Sequence, residues 1–198
     1  MLFSGLCLRV QPGTLLRVAG PNGTGKTSLL RVLCGLLQPT HGEVRWHAKP
    51  IRALKEEFWS ALAYVGHLNG VKDDLTAVEN LRASAGIAGL DADDGQVRGA
   101  LDAVGLVGFE DSLARFLSQG QRRRIALARL FLSGGVPLWI LDEPFTALDA
   151  RGVASLSALV ARHLAGGGIV ILTTHQEVSV EAPRAATVEL GNGPGAAC

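Results

Sequence analysis

The sequence predicts an α/β fold on a mostly parallel sheet, with a helical subdomain inserted into it. Three observations carry this. Short apolar runs rich in β-branched residues alternate with longer segments of helical periodicity, the pattern of strands linked by helices. One such run, Thr14–Ala19, leads through a glycine-rich turn into a helical pattern. Between about Asp74 and Phe116 the chain turns Ala-, Leu- and Asp-rich with few β-branched clusters, which marks a helical insertion.

The elements follow in order. After the strand Thr14–Ala19, a helix is predicted from about Lys26 to Leu37, because Leu29, Leu30, Leu33, Leu36 and Leu37 recur at helical spacing. Gly35 falls in its last turn and Gln38-Pro39 closes it. Glu43–Trp46 and Ala63–Val65 read as further strands. Asp91-Ala-Asp-Asp-Gly is a helix start or a solvated turn, since its ligand spacing is incomplete for a calcium loop. The α/β pattern resumes with a strand at Leu138–Leu141, a helix at about Val153–Leu164 and a strand at Ile169–Thr173, with Gly166-Gly-Gly as the last turn. The expected division is an α/β core from residues 1–67 and 117–190, a helical subdomain at 68–116, and a flexible tail at 191–198.

Length and composition fit one domain with a sizeable core: 198 residues, 47% of them apolar. A net charge of +1 gives no electrostatic footprint for nucleic acid. Cys7, Cys34 and Cys198 are odd in number and form no C-x-x-C pair, which argues against a disulfide scaffold, a zinc site or a haem attachment motif. The start lacks the basic and apolar regions of a signal peptide. No apolar run approaches the ~18 residues of a transmembrane helix, so action at a membrane requires a partner.

Gly20-Pro21-Asn22-Gly23-Thr24-Gly25-Lys26-Thr27 fits G-x-x-x-x-G-K-[ST] between a predicted strand and a predicted helix, the context the pattern requires. Glycines let the backbone curl so that successive N–H groups face phosphate oxygens. The helix beginning near Lys26 adds the positive end of its dipole. Lys26 is placed to reach the β- and γ-phosphates of ATP, and Thr27 to ligate Mg²⁺. Alone, the loop says only that a nucleotide is bound.

Leu138-Trp-Ile-Leu-Asp142-Glu143-Pro144 reads as a buried strand ending in two acids, and parallel sheets place ligands at the carboxyl ends of strands. Asp142 is predicted to hold Mg²⁺, directly or through water, and Glu143 to polarise the water attacking the γ-phosphate. Solvated acids at a strand exit are the plainer alternative, which the upstream loop weakens.

Leu117-Ser118-Gln119-Gly120-Gln121 precedes a helix expected over Arg122–Leu132. Ser118 and the Gly120 backbone at a helix start make a second small anion site. One chain rarely has use for two phosphate sites unless they face each other across a dimer. A plain Ser N-cap with a basic first turn would be the reading if this segment stood alone. Arg122, Arg123 and Arg124 read as solvated or paired surface charges. Ala147-Leu148-Asp149 is suited to a dimer-contact loop, and His175, after the last buried strand, to a hydrogen bond with the γ-phosphate.

Together these residues resemble the ABC transporter ATPases over nearly the whole chain. Gly20–Thr27 resembles their Walker A loop, Leu117–Gln121 the signature, and Leu138–Asp142 Walker B with Glu143 as catalytic base. Ala147-Leu148-Asp149 resembles the D-loop and His175 the switch histidine. The resemblance implies a P-loop NTPase fold of the ABC-ATPase type. It implies a second ATPase subunit, so that Gly20–Thr27 of one copy meets Ser118, Gln119, Gly120 and Gln121 of the other around ATP and Mg²⁺. It also implies an integral membrane permease as partner, no nucleic acid, and a peripheral place on the cytoplasmic face of the bacterial inner membrane.

Four stretches look closest to the ATP-binding subunits of Ccm-type haem exporters: Gly66-His-Leu-Asn-Gly-Val-Lys72, Leu75–Leu81, Leu138–Asp149 and Gly167–Gln176. This likeness implies haem export or handling in c-type cytochrome biogenesis. Haem enters through the resemblance alone; the chain shows no haem ligand, and His41 and His47 read as surface residues.

Two departures from the family pattern stand out. Leu68 falls where the family's Q-loop glutamine is expected, and leucine can neither ligate Mg²⁺ nor bond a water. His67 and Asn69 are the possible substitutes. The family also carries a strand and an adenine-stacking aromatic before the segment resembling Leu2–Val10, so the sheet is expected to have a short N-terminal edge, and the start to be assigned too far downstream. The competing expectations are an ABC ATPase for another cargo, or an ATP-gated binding module with little hydrolysis because of Leu68.

Overall fold

A computed structural model of the protein describes residues 2–191; the tail expected at 191–198 lies, beyond Gly191, outside the described residues. Its strands are β1 (Thr14–Ala19), β2 (Arg45–Trp46), β3 (Lys49–Pro50), β4 (Leu62–Val65), β5 (Leu138–Asp142), β6 (Ile169–Thr173) and β7 (Arg184–Glu189). Its helices are α1 (Lys26–Leu33), α2 (Ile51–Leu54), α3 (Glu56–Ser60), α4 (Ala77–Ile87), α5 (Asp94–Ala103), α6 (Gln119–Leu132) and α7 (Ala150–Ala165), with a 3₁₀ turn at Ala114–Phe116. Five strands form one sheet in the order β4-β5-β6-β1-β7, and every neighbouring pair is parallel. β2 and β3 make a separate antiparallel ribbon.

The apolar runs are continuous because both faces of the sheet are covered. Side chains alternate across a strand, so each run splits between two cores. Leu138 and Ile140 of β5, Ile169 and Ile171 of β6 and Leu16 and Val18 of β1 pack with Leu29, Leu30 and Cys34 of the α1 segment. Trp139 and Leu141, with Val170 and Leu172, face the other way. There they meet Ile125 and Leu127 of α6 and Leu156, Val160 and Leu164 of α7. Each such leucine or isoleucine contributes roughly 1.5–3 kcal/mol by leaving water.

The helical insertion shares the second core. Leu81 of α4 and Leu101 of α5 belong to the same cluster as Trp139, and α6 bridges them to the sheet. The two inserted helices start on capping boxes, Thr76 with Glu79 and Asp93 with Gln96. The acidic run from Asp91 is therefore a helix start. Among the described residues no helix is long and apolar enough to cross a membrane.

Several boundaries differ from the sequence expectation. α1 stops at Leu33 with Cys34 as its C-cap, because Gly35 just beyond turns to φ +74°. The Leu36 N–H donates to the Arg31 carbonyl at 2.9 Å and the Gly35 N–H to the Val32 carbonyl at 3.0 Å, the pair of bonds that closes a helix on glycine. Leu36 and Leu37 are left exposed, so their helical spacing is coincidental. Only Arg45–Trp46 of the expected strand at 43–46 is paired. α6 begins at Gln119 and α7 at Ala150, each three residues earlier than expected. β7 has no counterpart in the sequence reading: it is Ala-rich and exposes every residue but Val188, so it carries little apolar signal.

Replacing Leu101 by alanine tests the shared core. The residue is fully buried, and truncation should cost about 2–5 kcal/mol. In denaturant titrations, tryptophan fluorescence, from Trp46, Trp59 and Trp139 together, and far-UV ellipticity should shift together to a lower midpoint; separate transitions would mean an independent subdomain.

Candidate functional site

The site lies at the carboxyl ends of β1, β5 and β6, where α/β sheets place ligands. The loop Gly20–Thr27 follows β1. Gly20, Gly23 and Gly25 have φ of +138°, +81° and +97°, conformations that side chains disfavour. At Gly20 a second constraint applies: a Cβ would stand 2.5 Å from the Leu190 carbonyl oxygen, where β7 ends against the loop. Gly25 is the N-cap of α1 and offers no side-chain cap, so the first-turn N–H groups are left for a ligand. The Lys26 ammonium spans the loop, donating to the carbonyls of Gly20 at 2.7 Å and Pro21 at 3.0 Å. Thr24 donates its hydroxyl to the Pro21 carbonyl at 2.9 Å, and Pro21, Asn22 and Gly23 face solvent. Leu2 and Phe3 lie against Gly25, within 3.0 and 3.2 Å of where its Cβ would be.

The loop is joined to the end of β5. Thr27 donates its hydroxyl to Asp142 Oδ2 at 2.9 Å. Thr173, at the end of β6, donates to Asp142 Oδ1 at 2.7 Å and accepts from the Glu143 N–H at 3.0 Å. Asp142 is buried, and both its carboxylate oxygens are engaged. Burial of a charged carboxylate demands such partners.

Glu143 sits at φ +50°, a strained conformation for a residue with a side chain, worth of order 1–3 kcal/mol. The His175 N–H donates to Glu143 Oε2 at 3.2 Å, and His175 Nε2 stands 3.4 Å from Oε1. That approach lacks hydrogen-bond geometry, so Oε1 is a buried acceptor without a donor among the described residues. An acceptor in this state is suited to a water proton. The sequence placed His175 for the γ-phosphate; its contacts here are to Glu143.

Ser118 caps α6 in a capping box. Its hydroxyl accepts from the Gln121 N–H at 3.2 Å, while the Gln121 side chain accepts from the Ser118 N–H at 2.8 Å. The hydroxyl proton remains available to donate. Gln119 is exposed, and a Cβ on Gly120 would make only ordinary contacts. These hydrogen bonds close within α6, and none reaches the loop Gly20–Thr27. Asp149 caps α7, accepting from the Gly152 N–H at 2.8 Å.

Two of the three arginines after the signature do not match the surface reading. Arg122 does pair with Asp73 at 2.7 Å. Arg123 is buried, and burial lowers its pKa, though a guanidinium stays charged. It donates to the carbonyls of Gly66, Asp142 and Glu143. Arg124 donates to the Ala147 carbonyl at 2.9 Å and the Gly105 carbonyl at 3.2 Å. Leu68 is 81% exposed, whereas its neighbour Asn69 turns its Oδ1 to Arg123 at 3.5 Å.

The ABC transporter family profile matches residues 3–146. The chain belongs to the ABC transporter family. Among its relatives, the cytochrome c biogenesis ATP-binding export protein CcmA of Nitrosospira multiformis is 53% identical over 179 residues, 90% of this chain and 86% of that protein. The protein of the same name from Aromatoleum aromaticum is 54% identical over 92% of this chain and 86% of its own length. A solved ABC transporter ATP-binding protein from Pyrococcus furiosus has a TM-score of 0.74 at 26% identity, covering 91% of this chain and 86% of that one. A dimeric ATP-binding cassette solved with ADP and phosphate shares the fold, with a TM-score of 0.79 at 24% identity over 96% of this chain and 89% of that one. This is an ATP-binding ABC-type ATPase, and its five-stranded parallel sheet is of the P-loop NTPase kind.

Two residues of this ABC ATPase's site escaped the sequence reading. Thr173 was visible only as a strand end; the signal was a hydroxyl residue closing an otherwise apolar buried strand. Arg123 had no signal beyond lying in a basic run, because the carbonyls it meets are distant in sequence. Thr173→Val keeps the shape and removes the hydroxyl. It strands Asp142 Oδ1 and the Glu143 N–H, and should cost roughly 1–3 kcal/mol in denaturant unfolding. ATPase turnover should fall with it.

Proposed function

We propose that this chain is the ATP-hydrolysing subunit of a transporter that couples Mg-ATP hydrolysis to haem export or handling in c-type cytochrome biogenesis. It acts as one of two copies beneath an integral membrane permease, on the cytoplasmic face of the bacterial inner membrane. The observation that carries the chemistry is the hydrogen-bonded set Thr27, Asp142, Thr173 and Glu143 at the mouth of the glycine loop. The cargo rests on the relatives, which share about half their residues with this chain and are named for cytochrome c biogenesis and export.

The residues divide the work. The backbone of Gly20–Thr27 and the α1 N-terminus hold the phosphates, and Lys26 exchanges the Gly20 and Pro21 carbonyls for phosphate oxygens. Thr27 and Asp142 present a hydroxyl and a carboxylate joined at 2.9 Å, a hard oxygen set that suits Mg²⁺ shared with phosphates. The cation, when bound, offsets charge on the transferring phosphoryl group. Glu143 Oε1 takes a proton from the water that attacks the γ-phosphorus as ADP leaves. His175 orients that carboxylate through its N–H. Ser118 donates its remaining proton to the γ-phosphate held by the other copy, with Gln119, Gly120 and Gln121 forming the rest of that contact and Asp149 the loop beside it.

Glu143→Gln should retain ATP binding and lose hydrolysis by about 10²–10⁴-fold, the usual contribution of a positioned base, in a phosphate-release assay with Mg²⁺. In that variant ATP should drive dimers visible by light scattering. Unchanged turnover would remove Glu143 from the base role. In a bacterium lacking its own copy, the wild-type gene should restore haem-stained c-type cytochromes and Glu143→Gln should not; restoration by neither would count against this cargo.

A further inference from the structure

We infer that Arg123 is a positioning residue for hydrolysis: through its guanidinium, the signature helix of each chain sets the attitude of that chain's own Glu143. The inference rests on the proposed role of Glu143 as base.

The segment that follows β5 is bracketed by two non-glycine residues in the left-handed region, Glu143 at φ +50° and Ala147 at φ +69°. Such conformations persist only where surroundings hold them. Both are held from α6. Arg123 Nη2 donates to the Asp142 carbonyl and, at 3.4 Å, to the Glu143 carbonyl, the oxygens on either side of the Glu143 Cα. Arg124 Nε donates to the Ala147 carbonyl at 2.9 Å. With Thr173 fixing the Glu143 N–H, each peptide plane flanking Glu143 has a partner. The backbone thus sets where the Glu143 side chain departs, and the His175 N–H holds its carboxylate.

Arg123 does more than fill this space. Its Nη1 donates to the Gly66 carbonyl and reaches Asn69 Oδ1 at 3.5 Å, in the loop that leads from β4 into the helical insertion. No carboxylate oxygen of the described residues forms a salt bridge with it; its direct partners are carbonyl dipoles and one amide, with the charges of Asp142 and Glu143 close by. A buried cation without a matching geometry would be costly. The planar fork of arginine serves two segments at once, which a lysine ammonium on a single stem does poorly. Arg123 lies five residues beyond Ser118 on one continuous helix, about 7.5 Å along its axis. Movement of Ser118–Gln121 therefore reaches the carbonyls at Glu143 through one rigid element and one side chain.

The test uses the full chain. Arg123→Met keeps the apolar stem, and Arg123→Lys keeps the charge. Turnover, KM for ATP, ATP-driven dimerisation and Tm are measured for both, and for each in the Glu143→Gln background. Arg123→Met should lower kcat at least tenfold while KM stays within twofold and dimers still form. Arg123→Lys should lie between it and wild type, and millimolar guanidinium ion should partly restore turnover to Arg123→Met. Combined with Glu143→Gln, either substitution should add little, because both act through one group. Unchanged kcat in both variants would overturn the inference, as would additive losses in the double variants. Parallel loss of kcat, ATP affinity and Tm in both would reduce Arg123 to a structural role and overturn it too. Normal turnover of Glu143→Gln alone would instead remove the base reading on which the inference stands.

Discussion

The carboxylate of Asp142 is the group around which this site is organised. It is buried at the end of a strand whose five residues all lie inside the protein. In that setting an unpartnered carboxylate would be far too costly to keep charged. Two hydroxyls meet it, one from the glycine-loop helix and one from the neighbouring strand. Those hydroxyls can arrive only because β5, β6 and β1 lie side by side and parallel, with their carboxyl ends together. The sheet order, the register Asp142 opposite Thr173, and the start of α1 at Lys26 are therefore parts of one requirement. Thr173 then passes the constraint on, since the oxygen that donates to Asp142 also fixes the Glu143 N–H.

Features governed by local backbone chemistry were legible in the sequence. The strands β1, β5 and β6 announce themselves as continuous apolar runs, and the loop Gly20–Thr27 by glycines at the places where the structure has positive φ. The helix start within the acidic run at Asp91–Gly95 was legible as one of two readings. What was hidden depended on contacts between distant segments. Gly35 as a helix terminator competed with an apolar spacing that ran past it to Leu37, and the terminator won: glycine enters the left-handed turn without strain, and the turn still satisfies the Arg31 and Val32 carbonyls as the chain leaves the helix. β7 is held by its ladder with β1 rather than by buried side chains, and hydropathy patterns do not report backbone ladders.

The signature segment is a clearer instance of the same limit. As sequence, Ser118–Gln121 and the arginines after it read as a polar helix start. Ser118 does form the capping box that such a reading implies. Yet α6 also carries Ile125, Leu127 and Ala128 into the core shared by the insertion and the sheet. A helix anchored on that face cannot move without moving what its other face holds. Arg122 pairs with an acid, but Arg123 and Arg124 donate to carbonyls, with Arg129 adding a contact to the Tyr64 carbonyl. Carbonyl partners leave no trace in charge patterns, which is why Arg123 and Arg124 looked like surface.

This bears on Leu68, the departure from the family pattern that put hydrolysis in doubt. The loop after β4 is tied to the site by the carbonyl of Gly66 and, more weakly, the amide of Asn69. A carbonyl acceptor is available whatever the side chain at the next positions. Leu68 points away from this contact and is 81% exposed, so leucine there does not break the link between the loop and Glu143. What leucine removes is a polar side chain that could have met water or cation in the site. The mechanical connection survives on the backbone, and Asp142, Thr27 and Glu143 supply the polar atoms that remain. A site built this way places its precision in hydrogen-bonded backbone and leaves the exposed position 68 free to be apolar.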